Sequence, residues 1–335
     1  MSKTLKVQGT YEFDWTKQEI FITGGTGSLG KTLIKLLCEK YRPKGIRVYS
    51  RDELKQWECK QAFAEYDVPI SFLIGNVNNL ERLRIATRGV NILIHTAAMK
   101  QVPACEDNPM EAIETNIHGA QNLLTVALEN GITKVLNVTT DKAVYPVNLY
   151  GATKMVAEKL FINGNVYSGG RMPYFSCCRY GNVIGSRGSV IPLFKKQLKE
   201  GKQLTITHKN MTRFWITLPE VAQFILNRIE DMKGGEIFVP KMPSMRIMDL
   251  ADAIRRNHYI DVLPVIEEGV DFKVTGIRPG EKIHETLISE EEAEHMIDCE
   301  DYLVLNQDVF KPIYQSYSSD NNTDWLTVEQ LKEMI

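Results

Sequence analysis

Residues 19–30 read Glu19-Ile-Phe-Ile-Thr23-Gly24-Gly25-Thr26-Gly27-Ser28-Leu29-Gly30. The apolar run up to Thr23 reads as a short buried strand. Leu33, Leu36 and Leu37 then recur at helical spacing until Pro43-Lys44-Gly45 breaks the pattern. Strand, glycine turn and helix in that order form the context in which a glycine fingerprint marks a dinucleotide site. The spacing is G-x-x-G-x-x-G, on Gly24, Gly27 and Gly30. Glycines let the backbone approach a pyrophosphate, and the helix N-terminus offers free N–H groups and a favourable dipole.

The same alternation continues outward from this turn. Apolar runs at Ile46–Tyr49, Ile70–Ile74, Asn91–Ile94, Val135–Val138 and Pro173–Tyr180 read as strands. A long helical pattern spans Pro109–Asn130 with Gly131 as its stop, and another follows Leu149. Such alternation without internal repeats implies an α/β, doubly wound parallel sheet of Rossmann type. The character changes after Gly181-Asn182. A loop runs to Ser189, followed by a short helix at Val190–Lys199 and a strand fragment at Leu204–Ile206. Helices at Pro219–Met232, Met248–Arg256 and Leu326–Ile335, a strand at Gly235–Val239 and a turn-rich segment at Gly276–Lys282 complete the list. The expected division puts residues 1–183 and 214–242 in the nucleotide-binding domain. Residues 184–213 and 243–335 form a smaller mixed α/β substrate lobe.

Composition removes several function classes. The chain has 335 residues, is 43% hydrophobic and 24% charged, and carries a net charge of -2. That balance argues against a nucleic-acid binder working through a broad basic surface. The first 18 residues lack the apolar core of a signal peptide, and no apolar run approaches a membrane span. Six cysteines without a C-x-x-C pair fit reduced thiols, with Cys177-Cys178 as core packing and no metal site. A cytoplasmic protein with no membrane or nucleic-acid partner is expected.

Two strand ends and one helix carry candidate chemistry. The second strand ends at Ser50-Arg51; an arginine there suits a 2′-phosphate and so NADP, against the alternative of a solvated surface charge. His95 reads as a packed or hydrogen-bonded residue. Lys100 reads equally as a contact to a phosphate or sugar and as a surface charge. The fifth strand runs into Thr139-Thr140-Asp141-Lys142, and Tyr150-Gly-Ala-Thr-Lys154 follows, with Tyr150 and Lys154 one helical turn apart. Beside a nicotinamide, Tyr150 is a workable base for a hydroxyl proton, its pKa lowered by the Lys154 ammonium, with Thr140 bonding the same substrate oxygen. Asp141 and Lys142 are surplus to alcohol oxidation. They offer an acid–base pair for a second event such as elimination of water, against the alternative of a surface salt bridge. Arg187, Arg213 and Arg278 are candidates for a diphosphate clamp.

Thr23–Gly30, the Tyr150/Lys154 pair and the two-lobe layout resemble the extended short-chain dehydrogenase/reductase superfamily. Ser50–Lys55, Lys100–Glu106, Thr140–Ala143, Asn148–Lys154, Arg179–Val183, Met211–Ile216 and Arg278–Glu281 resemble, more narrowly, the soluble inverting UDP-N-acetylglucosamine 4,6-dehydratases of pseudaminic acid synthesis. The resemblance covers roughly residues 13 to 290. It implies NADP contacts at Thr23, Gly24, Gly27, Ser28, Leu29, Gly30, Ser50, Arg51, Asn76, Val77, Ala97, Ala98, Tyr150, Lys154 and Val183. Lys100, Asn182, Thr212, Arg213, Arg278 and Glu281 would face the UDP-sugar. Thr140, Asp141, Lys142, Tyr150 and Lys154 would be catalytic, with Lys142 taking the C5 proton and Asp141 protonating the departing 6-hydroxyl. Retaining relatives are expected to carry glutamate where this chain has Lys142, and the membrane-bound branch methionine where it has Tyr150. Asn76 stands where the superfamily commonly has aspartate, and Thr96 where alanine is more usual. Relatives assemble as dimers or larger, so a homo-oligomer is expected. The alternatives are a UDP-sugar 4-epimerase, which has no use for Asp141 and Lys142, and a non-catalytic NADP-binding regulator.

Overall fold

Buried apolar strands need polar helices to cover both faces of the sheet they form. A computed structural model shows that arrangement and describes residues 13–185, 190–260, 272–311 and 315–335. In chain order come β1 (Glu19–Thr23), α1 (Ser28–Leu36), β2 (Gly45–Ser50), α2 (Glu53–Ala62), β3 (Ile70–Ile74), α3 (Leu80–Ala86) and β4 (Ile92–His95). Next are α4 (Val102–Asp107), α5 (Pro109–Ile113), α6 (Gly119–Glu129), β5 (Lys134–Thr140), α7 (Leu149–Ser168) and β6 (Tyr174–Tyr180). A π-helical turn at Glu114–His118 joins α5 to α6 within the single long helix expected there.

The remainder supplies β7 (Asn182–Val183), α8 (Val190–Lys199), β8 (Thr205–Ile206), β9 (Thr212–Ile216), α9 (Leu218–Asp231), β10 (Ile237–Pro240), β11 (Ser244–Arg246) and α10 (Ile247–Ile260). It ends with β12 (Lys273–Val274), β13 (Thr286–Ile288), α11 (Glu290–Ala293), β14 (Met296–Cys299), β15 (Tyr302–Leu305), β16 (Tyr317–Ser318) and α12 (Val328–Met334). Among the described residues no helix is long and apolar enough to cross a membrane.

The central sheet has nine strands in the order β14-β15-β10-β6-β5-β4-β1-β2-β3. Seven are parallel, and the strand order reverses between β1 and β4, the switch point where open α/β sheets bind their ligands. Thr23 pairs with both Tyr49 and His95, so the carboxyl ends of β1, β2 and β4 finish level.

Two features differ from the expected division of the chain. β14 and β15 pair antiparallel onto β10 at the sheet edge, so residues 296–305 belong to the large sheet instead of the smaller lobe. Their short, partly polar runs carry little sheet signal until β10 is there to receive them. The expected boundary at residue 214 also falls inside β9, which pairs with β7 and β11 in a separate three-stranded sheet. Phe214 and Ile216 pack into the large core while Met211 and Trp215 pack into a second one with α8, α10 and Leu331 of α12. One strand with period-two alternation therefore serves both cores.

The glycine turn is closed by contact as well as by dihedral angle. A Cβ on Gly30 would press into the backbone of Gly25, inside van der Waals contact. Helix α1 can lie against the end of β1 only because position 30 has no side chain. Gly30→Ala is expected to cost about 1–3 kcal/mol in the denaturant midpoint by overpacking; an unchanged midpoint would show that α1 does not need this approach.

Candidate active site

A cavity of about 720 Å³ opens over the carboxyl ends of the parallel strands and runs under the smaller lobe. Its floor at one end is the glycine turn. Gly27 is the N-cap of α1 and offers no side chain to the first N–H groups, which leaves that helix end open to an anion. Gly24, Gly27, Ser28, Leu29, Gly30, Ser50, Arg51, Asn76, Val77, Ala97, Ala98 and Val183 all line the cavity. Tyr49, one residue before Ser50, donates to the Asn76 carbonyl (3.0 Å), and Gln56 donates to Ser50 Oγ (3.0 Å). Arg51 is exposed at this end.

Thr23 does not face the cavity. It is fully buried, with Oγ1 at 2.7 Å from His95 Nδ1 and its carbonyl accepting from Thr96 Oγ1 (2.7 Å). Thr96, placed where small alanine is more usual, therefore ties the ends of β1 and β4 together. His95 is packed and hydrogen-bonded, as expected; burial pushes its pKa down to about 3, with the Lys154 charge adding to the effect. Beyond β4, Asn116 in the π-helical turn accepts from Met99 N–H (2.8 Å) and donates to Met99 C=O and Thr153 Oγ1 (both 2.9 Å). That amide braces the Thr96–Lys100 wall against α7, a device no sequence pattern disclosed.

The other end of the cavity holds the charged groups. Strand β5 ends at Thr140, and Asp141–Ala143 form one 3-10 turn. Asn148 caps α7 by accepting from Gly151 N–H (2.8 Å). Gly151 lies directly on this turn, where a Cβ would meet the Lys142 carbonyl inside van der Waals contact. The close approach brings Tyr150 and Lys142 to the same wall. Thr140 Oγ1 donates to Asp141 Oδ1 (2.8 Å), and Lys142 Nζ donates to the same oxygen (2.9 Å). On its other side Lys142 Nζ lies 3.3 Å from Glu285 Oε1. Lys142 is partly exposed to the cavity, while Asp141 is wholly buried, does not line it, and has no hydrogen-bond partner on Oδ2 among the described residues.

Electrostatics separate the three basic or phenolic groups. Burial drives the Tyr150 pKa up to about 12, opposed by the Lys142 charge and the Thr140 hydroxyl and reinforced by Asp141 and Cys105. The cation acting on the phenol is thus Lys142, where the sequence pointed to Lys154. Lys154 is buried, donates to the Val138 carbonyl (2.7 Å), and is pushed down to about 8 by burial, with Cys177 and Glu158 pulling the other way. Burial also works against the Lys142 ammonium, but the Asp141 and Glu285 carboxylates outweigh it and hold its pKa above the ordinary lysine value.

The smaller lobe closes the site with less free charge than expected. Lys100, Asn182, Arg213, Arg278 and Glu281 line the cavity, and Asn182 Oδ1 has no partner among the described residues. Arg213 is buried, and its guanidinium donates to the carbonyls of Thr212, Lys282 and Ile283 at 2.6, 2.9 and 3.0 Å. It therefore holds the 282–285 segment in place and is not an open diphosphate clamp. Arg278 is exposed at the mouth, and Arg187 lies outside the described residues. Thr212 is buried behind the wall, bonded to His284 Nδ1 (2.8 Å) and Ser319 Oγ (2.7 Å). Glu285, Lys55, Tyr180 and Thr115 line the cavity without having been singled out. Glu285 follows four residues after Glu281 in a charged, turn-rich segment, a weak signal that only folding turns into a contact with Lys142.

The sequence matches the polysaccharide biosynthesis protein family over residues 20–307. The chain is 46% identical to a Campylobacter jejuni protein named UDP-N-acetylglucosamine 4,6-dehydratase (inverting), covering 96% of this chain and 98% of that one. It is 38% identical to a Rickettsia rickettsii protein named UDP-glucose 4-epimerase, over 94% of each chain. Among solved structures, Pen from Bacillus thuringiensis superposes with a TM-score of 0.89 at 33% identity, covering 96% of this chain and 98% of that one. This chain belongs to the polysaccharide biosynthesis protein family, built on the short-chain dehydrogenase/reductase fold that its glycine turn and Tyr150/Lys154 pair implied.

Proposed function

We propose that the protein removes water from UDP-N-acetylglucosamine across C5 and C6 with inversion at C5, using NADP that is regenerated in each cycle. The observation that carries this reading is the series Thr140–Asp141–Lys142–Glu285 beside Tyr150: Thr140, Lys142 and Glu285 line the cavity that also holds the glycine turn, and Asp141 is buried directly behind them. Alcohol oxidation alone needs Tyr150, Thr140 and Lys154 and no proton transfer by Asp141 or Lys142. The printed name of the Campylobacter jejuni relative supports the same reading.

The cavity suits a dinucleotide by shape. The uncapped end of α1 faces it, Gly30 brings that helix against the turn, and Lys154 keeps N–H groups free beside its bond to Val138 for ribose hydroxyls. NADP held by the glycine turn, Tyr150 and Lys154 would supply the hydride acceptor for C4 and the hydride donor for C6. Tyr150 takes the 4-hydroxyl proton, its phenolate favoured by the nearby Lys142 cation. Thr140 gives its own hydrogen to Asp141 and so accepts a bond from the sugar hydroxyl or from Tyr150. Once C4 is a ketone, the C5 proton is acidic. Lys142 can remove it only as the free amine. Transfer of one proton from Nζ to Asp141, 2.9 Å away, arms both groups together. The amine then takes the C5 proton. The proton held by Asp141 passes to Thr140 Oγ1, which lines the cavity, as the Thr140 hydroxyl gives its own hydrogen to O6; the C6–O6 bond breaks, C5=C6 forms and water leaves. Reprotonation of C5 on the opposite face gives the inverted 4-keto-6-deoxy sugar, an intermediate for pseudaminic acid or surface-glycan synthesis in the cytoplasm.

Incubation with UDP-N-acetylglucosamine and NADP is expected to give a product lighter by one water. An isomer of unchanged mass would instead favour the 4-epimerase reading, which the Rickettsia rickettsii relative's name keeps in play. Absence of any product would favour a binding protein. Lys142→Ala is expected to reduce water loss by about 10²–10⁴-fold, the range for a positioned acid or base, with NADP affinity unchanged. Full activity in that variant would remove Lys142 from the mechanism. Arg51, exposed beside Ser50, is the proposed 2′-phosphate ligand. Arg51→Asp should weaken NADP by roughly tenfold or more against NAD, the scale of one lost charge-assisted bond. Equal affinities for the two cofactors before and after the change would assign Arg51 to the solvated surface.

A further inference from the structure

Lys142 is gripped by two carboxylates, and only Asp141 has a task in the reaction proposed above. The other belongs to Glu285, which closes the 276–285 segment of the smaller lobe just before β13. It is 2% exposed, and its backbone N–H donates to Ser319 Oγ at 3.0 Å. Oε1 lies 3.3 Å from Lys142 Nζ and 3.9 Å from Arg213 Nε, and Lys282 Nζ lies 3.8 Å from Oε2. Oε2 has no hydrogen-bond partner among the described residues. A buried carboxylate with an unsatisfied oxygen is costly and invites a functional explanation. Unlike Asp141, Glu285 lines the cavity.

The groups that face Lys142 come from four places. Asp141 is in its own turn, Arg213 on β9, Tyr150 on α7, and Lys282 and Glu285 on the segment before β13. Two of the five are acids, and they differ in one respect. In the dehydration cycle Asp141 gains and loses a proton, so its charge changes. Glu285 has no proton to exchange in that cycle. A fixed negative charge beside a nitrogen that turns from amine to ammonium stabilises the ammonium as it forms. At 3.3 Å its attraction also draws Nζ to one side and so helps aim the nitrogen lone pair. The aspartate behind the histidine of a serine-protease triad stands in the same relation to its base.

We propose that Glu285 is the positioning residue for Lys142, holding Nζ toward the sugar and balancing the ammonium formed when the C5 proton is taken. This inference rests on the dehydratase reading. In the step concerned, the C5–H bond breaks, the proton joins the Lys142 amine, and the electron pair passes into the C4 carbonyl as an enolate.

The sign of the pH effect follows. Glu285 strengthens the hold of the Lys142–Asp141 pair on the one proton the two share, and loss of that proton leaves no acid for O6, so activity falls as pH rises through that ionisation. Neutralising Glu285 moves the fall to lower pH and leaves a weaker, less well aimed base. The test compares wild type, Glu285→Gln and Glu285→Asp as full chains with NADP. Water loss from UDP-N-acetylglucosamine is followed across pH, and C5 labelling is followed in deuterated water. Glu285→Gln is expected to lose about 10²-fold or more in kcat, with KM held within about threefold and the falling limb displaced to lower pH. Glu285→Asp should recover part of kcat and return the limb toward its wild-type place. An unmoved limb in both variants overturns the proposal, whether or not activity falls, because a purely structural role lowers kcat without shifting that ionisation. Wild type reports separately on the underlying reading: if it releases no water, dehydration itself is refuted before Glu285 is altered.

Discussion

The ammonium of Lys142, fixed at 2.9 Å from Asp141 and 3.3 Å from Glu285, is the contact on which the site depends. Asp141 belongs to the end of a central parallel strand, and Glu285 to the smaller lobe. A cation between two buried carboxylates is stable only while all three stay paired, because loss of either side leaves an uncompensated charge in a poorly hydrated place. The pairing thus does two things at once. It draws the 282–285 segment down onto the sheet, and in the proposed reaction it stores a proton between groups that elimination needs in opposite states. Arg213 reinforces the arrangement from β9 by binding the carbonyls of Lys282 and Ile283.

A second buried charge network supports the same region from below. Arg179 on β6 bonds both oxygens of Glu158 on α7, both oxygens of Glu292 and the Leu287 carbonyl. Glu292 also closes the capping box of α11 with Ser289. Glu158 lies one helical turn past Lys154, and its charge is among those that hold up the Lys154 pKa against burial. The network therefore sets where α7 lies against the sheet and what potential Lys154 feels. Fully satisfied, it makes the helix carrying Tyr150 and Lys154 a rigid base for the site.

Much of the molecule was legible in sequence because its signals are local. Strand β1, the glycine turn and α1 lie within eighteen residues, and hydrophobic periodicity reports burial directly. Tyr150 and Lys154 share a helix face by spacing alone. The misplacements all involve partners distant in sequence. β14 and β15 join the sheet through β10, and β9 divides its two faces between two cores. Thr23 and Thr212 turn inward because His95, His284 and Ser319 await them there.

The sequence by itself determined the parallel sheet, the nucleotide cradle and the identity of the groups able to move protons. Those properties follow from composition and spacing along one segment at a time. Tertiary structure decided which of those groups share a charge. It gave Tyr150 the field of Lys142, bound Arg213 to backbone carbonyls, and brought Glu285 to a lysine on the far side of the cavity. Electrostatic coupling falls off with distance through space and takes no account of distance along the chain. It becomes readable only once both lobes are folded together.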